Sequence, residues 1–257
     1  MAGGLFARPS SIRPALQSQS SARVAKEVFS EDDLIAAIAE IASRFDGTVL
    51  SAFGGAICIG APITIREPIT IPYQCPGLTI FSLSKVPIVA GEAAQDACFI
   101  VNAALVTLRG LFVYGTADRY FTTFARAVTP STAGFSPQNL TIAECNLWVD
   151  RIYQDATDNG ATDARIIDNW QNEATNSALS TILFDSERCT ARGNRIEDSG
   201  TNAIEVTANG GYCSIDHNFC GGADIVTSAS GGYNTVDANV QCGALTVHTT
   251  DALGLNT

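Results

Sequence analysis

Residues 213–220 read CSIDHNFC, and this stretch decides how the rest of the chain is interpreted. It holds one of the two histidines of the chain, beside an aspartate and between two cysteines. A metal site, an acid–base pair and one step of a repeat would each use these residues differently. The repeat is favoured, because the same spacing of residues recurs along the chain.

The repeated pattern is a short strand followed by a bend. Two small or apolar residues flank one polar residue, as in Cys213-Ser-Ile215, and a pivot residue follows three positions later, here Asn218. The pivots of the seven copies are Leu83, Leu111, Cys145, Asn169, Asn194, Asn218 and Asn239. Successive pivots lie 21 to 34 residues apart, mostly near 24. A period of this length is typical of solenoid proteins.

A second alternating run recurs in step with the first. Its copies are Ala203–Val206, Ala223–Val226 and Ala244–Val247. Each repeat therefore holds at least two runs with the alternation of β-strands, which excludes a helical solenoid. We expect parallel strands that stack about 4.8 Å apart, so that equivalent residues form columns along the axis.

Asparagine occupies the last four pivots, and we expect its side-chain amides to bond to one another along the axis. Asparagine also tolerates the left-handed backbone that a sharp bend needs. Five positions before three of these pivots, small residues are expected to fill the core: Ala164, Cys189 and Cys213.

On this repeat, residues 48–250 resemble the right-handed parallel β-helices of the pectate-lyase-like superfamily. The stretch GTVLSAFGGAICIGAPITI (47–65), which follows a predicted helix, also resembles the start of bacteriophage tailspike β-helices. The implied fold class is all-β, a right-handed parallel β-helix (solenoid) with a short N-terminal α-helical cap. The resemblance to tailspikes further implies a homotrimer, attachment to virion tail or adaptor proteins through residues 1–29, and binding of a host surface glycan.

Residues 1–29 differ from the repeat in composition. They are rich in Ser, Ala and Arg, and no acidic residue precedes Glu27. Such a segment is typical of an organelle transit peptide or of an arm that becomes ordered on a partner. We interpret it as an N-terminal arm that docks onto a neighbouring protein.

A capping helix is predicted for residues 30–47, and the β-helix with a short C-terminal tail for residues 48–257. Ser30 with Asp33 forms a variant of the capping box, and Gly47 supplies a stop. One apolar stripe at helical spacing would face the solenoid. The stripe consists of Leu34, Ile35, Ile38, Ile41, Ala42 and Phe45.

Charge and composition exclude several classes of partner. The net charge is −11, so binding to nucleic acid or to anionic membranes is disfavoured. No run of about 18 apolar residues is present, and no membrane span is predicted. The eight cysteines form no CxxC pair, and with two histidines they match no metal template. We therefore expect buried free thiols, no metal and no cofactor.

Four residues are candidates for catalysis. Glu205 and Asp224 are expected to face outward on adjacent turns, and two carboxylates at suitable separation can cleave a glycosidic bond. Asp216 and His217 form a second pair, which weakly matches a short motif of pectate lyases. The position of His217 is typical of a solvent-facing turn in the other repeats, and surface carboxylates also serve solubility.

Five aromatic residues are candidates for carbohydrate binding, because sugars stack on flat aromatic faces. They are Trp148, Tyr153, Trp170, Tyr212 and Tyr233. The first three lie in or beside an apparent insertion at 150–178, and the last two share one register in the repeat. Packing against loops or between subunits would use the same residues.

The sequence thus favours a phage tailspike or tail fibre protein that binds host cell-surface polysaccharide. It would be made in the host cytoplasm and reside in the virion, on the tail or another surface appendage. Two alternatives stay open. One is a polysaccharide-degrading lyase or glycosidase of the same fold, although no strong catalytic motif supports an enzyme. The other is a structural adaptor of a virion without a ligand.

Overall fold

The computed structural model describes residues 24–47, 54–92, 95–115, 119–131, 136–155, 161–172, 178–197, 200–228, 232–254 and 256. These residues form a parallel β-solenoid with one short helix near the N-terminus. The predicted all-β parallel β-helix with an N-terminal helical cap is therefore confirmed.

The strands form three parallel sheets that run the length of the solenoid. Sheet A contains β1 (Val24–Val28), β2 (Gly55–Ile59), β5 (Leu78–Phe81), β8 (Thr107–Arg109), β11 (Thr141–Ala143), β14 (Arg165–Ile167), β17 (Thr190–Arg192), β20 (Ser214–Asp216), β22 (Thr235–Asp237) and β24 (Ala252–Leu253). Sheet B contains β3 (Ile63–Ile65), β6 (Pro87–Ala90), β9 (Phe112–Tyr114), β12 (Asn146–Leu147), β15 (Trp170–Gln171) and β18 (Arg195–Ile196). Sheet C contains β4 (Ile69–Ile71), β7 (Gln95–Val101), β10 (Phe121–Ala127), β13 (Arg151–Asp155), β16 (Ile182–Phe184), β19 (Asn202–Val206), β21 (Asp224–Thr227) and β23 (Leu245–Thr246).

The chain visits the sheets in the fixed order A, B, C. Six consecutive turns, from β2 to β19, each contribute one strand to every sheet. In the next two turns sheet B continues as single bridges at Phe219 and Val240. The segment 150–178 is therefore no insertion, because β13, β14 and β15 within it are ordinary strands of the coil.

Alternation along the strands fills the core. In each three-residue strand of sheet A from β8 to β22, the central residue points inward and is fully buried. These central residues are Leu108, Ile142, Ile166, Ala191, Ile215 and Val236. Burial of one Leu or Ile side chain contributes about 1.5–3 kcal/mol, so the column is a main source of stability.

Two bends flank sheet A, and both use the left-handed backbone conformation. At the bend from sheet A to sheet B, positive φ occurs one residue before the pivot rather than at it. These residues are Lys85, Gly110, Glu144, Asp168, Gly193, His217 and Ala238. At the bend from sheet C to sheet A, the corresponding residues are Leu105, Asn139, Asp163, Arg188, Tyr212 and Tyr233.

The asparagine column is confirmed. The side-chain oxygen of Asn194 accepts from the backbone N–H of Asn169 (3.1 Å) and from its side-chain amide (3.0 Å). Asn194 in turn donates its side-chain amide to Asn218 Oδ1 and to the carbonyl of Ile166. The same bonds recur at Asn218 and Asn239, and they end on Asn256, which extends the predicted column by one step.

One predicted pivot is wrong. Leu83 is 83% exposed, and the register of β6 with β9 aligns Pro87 with Phe112. Val86 therefore occupies the position of Leu111, and residues 83–85 form a short loop before it. The corrected pivot lies 25 residues before Leu111, close to the period of the other turns.

The predicted capping helix exists but is shorter than expected. Helix α1 spans Glu31–Ala42, and the Ser30 hydroxyl accepts from the backbone N–H of Asp33 (3.1 Å). Its buried residues are Leu34, Ala37, Ile38 and Ile41, together with Glu31. Ile35 was expected in the apolar stripe but is 48% exposed. The helix covers the first turn, whose core residues would otherwise face water.

The N-terminal arm ends earlier than predicted. Residues 24–28 form β1, which pairs with β2, and Val28 is fully buried. This part of the predicted arm belongs to the solenoid, and residues 1–23 lie outside the described part of the chain. The C-terminal residues 252–253 and Asn256 likewise belong to the coil rather than to a tail.

The cysteines behave largely as core residues. All eight are free, six are buried, and Cys58 and Cys242 are partly exposed. Burial raises the pKa of Cys75 and of Cys145 to about 12. Such thiols are protonated near neutral pH and unreactive.

Candidate functional site

The outer face of sheet B carries a row of aromatic side chains, which we call the sheet B row. It consists of Phe112, Tyr114, Trp148, Trp170 and Phe219, with Arg195 between the last two. These positions follow the pivots by one or three residues. Because the residues between them point into the core, alternation places all six side chains on the outside.

The rings in this row contact one another. The rings of Phe112 and Tyr114 are stacked, with centroids 5.4 Å apart. Trp148 meets both of them edge-on, at 6.3 Å in each case. These contacts orient the rings before any ligand arrives.

Arg195 links Trp170 and Phe219 at one end of the row. Its guanidinium lies over the ring of Trp170 (5.8 Å) and over that of Phe219 (5.3 Å). Glu197 accepts from its Nε at 2.6 Å and from its Nη2 at 2.5 Å. The planar cation thus continues the row of flat groups and is held in place by stacking and by an ion pair.

Polar groups without partners accompany the row. The side-chain oxygen of Asn146, which lies between Phe112 and Trp170 in register, forms no hydrogen bond. The indole N–H of Trp148 also forms none. Buried polar groups in this state are costly, so a ligand that reached them would gain their hydrogen bonds.

Tyr153 was predicted to bind carbohydrate, and the structure contradicts this role. Its side chain is fully buried, and its ring packs 5.9 Å from that of Phe184 inside the coil. The residue lies on the inward face of β13, where no sugar can stack on it. Trp148 and Trp170 both lie on the sheet B row, on adjacent turns, and their role in carbohydrate binding stays a prediction.

Tyr212 and Tyr233 form a separate surface at the bend from sheet C to sheet A. Their rings are stacked at 5.5 Å with an interplanar angle of 14°. They are 58% and 61% exposed, and both have positive φ. The predicted shared register is confirmed, but this pair lies on a different bend from the sheet B row.

Asp216 and His217 lie at the bend from sheet A to sheet B. His217 Nδ1 lies 3.3 Å from Asp216 Oδ1, and Arg192 Nε lies at the same distance from that oxygen. The His217 side chain is 61% exposed, as expected for a solvent-facing turn. Asp216 and His217 therefore belong to a surface ion-pair network with Arg192. A catalytic role for the pair stays a prediction.

Glu205 and Asp224 are not register partners, contrary to expectation. A β-bulge between Asn202 and Ile204 shifts the register, so that Glu205 aligns with Val226 and Asp224 with Asn202. Asp224 accepts from the backbone N–H of Ala244 (2.7 Å), which ties it to the next turn. The predicted alternation holds around them, because Ile204, Val206 and Ile225 are buried.

Glu205 instead belongs to a polar cluster on sheet C. The Ser180 hydroxyl donates to its Oε2 (2.5 Å), and Asn202 donates to the same oxygen (3.3 Å). Arg151 is 7% exposed and donates its Nε to the carbonyl of Ser180 (2.8 Å). Burial lowers the pKa of Arg151, and the charge of Glu205 opposes that effect.

Phe112, Tyr114, Phe219 and Arg195 were missed by the sequence reasoning. The signal was present, since Phe112, Trp170, Arg195 and Phe219 each directly follow a pivot. Finding it required the sheet B strands of successive turns to be aligned, and strands of two residues carry too little alternation for that on their own.

Within the described ranges, no group of three or more His, Cys, Asp or Glu side chains is arranged to hold a metal ion. In the same part of the chain, no helix is long and apolar enough to cross a membrane. The chain matches no protein-family model and no curated protein sequence.

Proposed function

We propose that this protein binds an extended polysaccharide along the sheet B row and serves as a bacteriophage tailspike or tail fibre subunit that adsorbs to host cell-surface polysaccharide. The observation that carries the binding proposal is the row itself. Flat side chains occupy one face over five consecutive turns. Contacts between neighbouring side chains fix their orientation.

The dimensions of the row suit a polymer. Equivalent residues on successive turns are about 4.8 Å apart, so the distance from Phe112 to Phe219 is about 19 Å. A sugar chain lying along the axis would place the apolar faces of its rings on the aromatic side chains. Sugar hydroxyl groups that donate to Asn146 Oδ1 or accept from Arg195 would then be selected.

Charge favours a polysaccharide with few acidic groups. The net charge of −11 repels a polyanion over long range, and Arg195 is already paired with Glu197. We therefore expect the preferred ligand to be neutral or weakly acidic.

The wider assignment rests on the tailspike resemblance. It includes a homotrimer, attachment to virion tail or adaptor proteins through the N-terminal segment, and location in the virion. Light scattering of the purified protein tests the trimer. Mass spectrometry of purified particles, with the chain in stoichiometric amount, tests the location.

Binding is tested with purified capsular and lipopolysaccharide chains of candidate hosts, measured by calorimetry against Trp170→Ala and Tyr212→Ala. We expect Trp170→Ala to weaken binding at least 10-fold, about 1.4 kcal/mol, and Tyr212→Ala to leave it unchanged. Equal affinity in the wild type and Trp170→Ala would remove the sheet B row as the binding site.

A second candidate function is cleavage of the polysaccharide at the sheet C cluster. Glu205 has a fixed carboxylate there, held by Ser180 and Asn202 beside the buried Arg151. Release of reducing ends or of unsaturated sugars, lost in Glu205→Gln and kept in Asp224→Asn, would support this candidate. The third alternative, a structural adaptor of a virion without a ligand, predicts neither binding nor cleavage.

A further inference from the structure

A groove lies at the N-terminal end of the solenoid, between helix α1 and strand β4. Its volume is about 760 Å³. We call it the β4 groove, and its lining includes Glu31, Ile35, Arg66, Glu67, Thr70 and Glu92. None of these residues belongs to the sheet B row or to the sheet C cluster.

The wall formed by β4 is a free sheet edge. Among the described residues, β4 pairs with β7 and with no other strand. At the same end of the solenoid the edge of sheet A is covered, because β1 pairs with β2. Helix α1 packs against β1, β2 and β3, so it stands over the other two sheets and leaves a gap at β4.

Thr70 presents its backbone to the groove. In a parallel sheet, alternate residues direct their N–H and C=O groups to opposite neighbours. The Ile71 carbonyl accepts from Asn102, which follows β7, so Ile71 faces β7 and Thr70 faces away from it. Pro68 and Pro72 have no N–H, so this edge offers a single donor, at Thr70.

The chemistry of the groove combines an apolar wall with an acidic rim. Ile35 is 48% exposed on α1, opposite β4. Glu31 is paired with Arg66, whose backbone N–H and Nε donate to it at 2.7 and 2.5 Å. Glu67 and Glu92 form no salt bridge with any described residue, so the rim retains unpaired negative charge.

We propose that the β4 groove binds an extended peptide segment of another protein as an added parallel strand on sheet C. The Thr70 backbone would pair with the peptide main chain, as β1 pairs with β2 on sheet A. An apolar side chain of the peptide would rest on Ile35, and a basic side chain on the next position would meet Glu67 or Glu92. The partner is thus a strand of alternating apolar and basic residues.

The location gives this surface a role beyond glycan binding. It lies at the capped end of the solenoid, where β1 and α1 begin the fold. A partner strand here would connect the protein to a larger assembly and leave the sheet B row free.

The probe is a short capped peptide of alternating valine and lysine, with an alternating valine–glutamate peptide as its opposite. Both are titrated into the full chain by fluorescence anisotropy, up to millimolar concentration. We expect saturable binding of the lysine peptide and at least 10-fold weaker binding of the glutamate peptide. Absence of saturable binding by the lysine peptide would overturn the proposal.

Two variants locate the site. Ile35→Asp and the double variant Glu67→Lys/Glu92→Lys should each lower the affinity for the lysine peptide at least 10-fold. The double variant should also bind the glutamate peptide more tightly than the lysine peptide. The matched control is Leu83→Asp, which replaces an exposed apolar residue outside the groove. It should bind the lysine peptide with wild-type affinity. Equal affinity in all three variants would place binding elsewhere and contradict the proposal.

Hydrogen exchange distinguishes a free edge from an occupied one. In the full chain without peptide, the Thr70 amide should exchange at least 10-fold faster than the Ile71 amide, and peptide should slow it. Strong protection of Thr70 in the free protein would show that the edge is already covered, and it would overturn the proposal.

Discussion

The two bends that flank sheet A have the same backbone conformation and are stabilised in different ways. Each places a residue with positive φ before a buried residue, for example Arg188 before Cys189 and Gly193 before Asn194. At the bend into sheet B the buried residue is mostly asparagine, and its amide bonds from turn to turn. At the bend out of sheet C the buried residue is mostly apolar.

The difference shows which groups a bend leaves unsatisfied. At the bend into sheet B, the backbone N–H of each asparagine and a carbonyl of the preceding strand both need a partner, and one amide from the next turn serves them. At both bends the N–H of the residue with positive φ bonds to a carbonyl of the next turn, as from Arg188 to Gly211 and from Gly193 to Asp216. At the bend out of sheet C a side-chain amide takes this role in the last turns, where Cys213 N–H donates to Asn234 Oδ1 (2.9 Å), so the two bends differ in how often a polar side chain is used.

The largest loss of stability is expected from Asn194→Cys. This variant places at the bend into sheet B a residue that is typical of the bend out of sheet C. It leaves the backbone N–H of Asn169, one N–H of its side-chain amide and the carbonyl of Ile166 without partners. At about 1–3 kcal/mol for each of these three buried groups, we expect the free energy of unfolding to fall by about 3–9 kcal/mol. Urea unfolding measures it, and a loss below about 1 kcal/mol would show that the column is not stabilising.

The reverse exchange, Cys189→Asn, should lower the free energy of unfolding by a smaller amount. It buries a larger amide between Ala164 and Cys213, at a site where the Cys189 thiol makes weak hydrogen bonds with the Ser186 hydroxyl (3.5 Å) and the Ala161 carbonyl (3.6 Å). We expect a loss of about 2–3 kcal/mol of unfolding free energy, compared with about 1 kcal/mol for Cys189→Ala. If asparagine were tolerated as well as alanine in the same unfolding assay, the two bends would be interchangeable.

A smaller effect is expected at the residues with positive φ. Gly193→Ala should destabilise by about 1–2 kcal/mol, because a Cβ is unfavourable in this conformation. Ala238→Gly, at the same position two turns later, should stabilise by up to about 1 kcal/mol. Thermal unfolding of both variants checks the sign, and a stabilising Gly193→Ala would contradict the assigned backbone.

The smallest effect concerns thiol reactivity, which should hardly differ between the bends. Burial raises the pKa of Cys145 at one bend to about 12, and Cys213 and burial raise the pKa of Cys189 at the other. Both thiols stay protonated at pH 8, so neither should react with a thiol reagent. We expect two reactive thiols in the native state, Cys58 and Cys242, and all eight after unfolding. Fast native labelling of Cys189 would mean that this bend opens.

The fold could be predicted largely because stacked turns repeat one pattern at one position. The repeat alone predicts the column formed by Asn169, Asn194, Asn218 and Asn239. Asn256 was missed because it follows Asn239 by only 17 residues and no strand pattern marks its turn. Leu83 was misassigned because a three-residue loop precedes the true pivot, Val86.

The candidate site was predicted less completely, because side-chain position depends on register. The bulge in β19 separates Glu205 from Asp224, and nothing in the sequence marks it. The sequence predicts a surface position for Tyr153 because β13 resembles part of an insertion, whereas Tyr153 lies inside the coil. Trp148 and Trp170 were identified, but their neighbours Phe112 and Arg195 required the alignment of sheet B.

The central claim, that polysaccharide lies along the sheet B row, is tested most directly by tryptophan fluorescence. Both tryptophans of the chain, Trp148 and Trp170, belong to this row. Titration with a polysaccharide that the protein binds should shift or quench this fluorescence, with a midpoint equal to the calorimetric Kd. Saturable binding that leaves the emission of both tryptophans unchanged would place the ligand elsewhere on the solenoid.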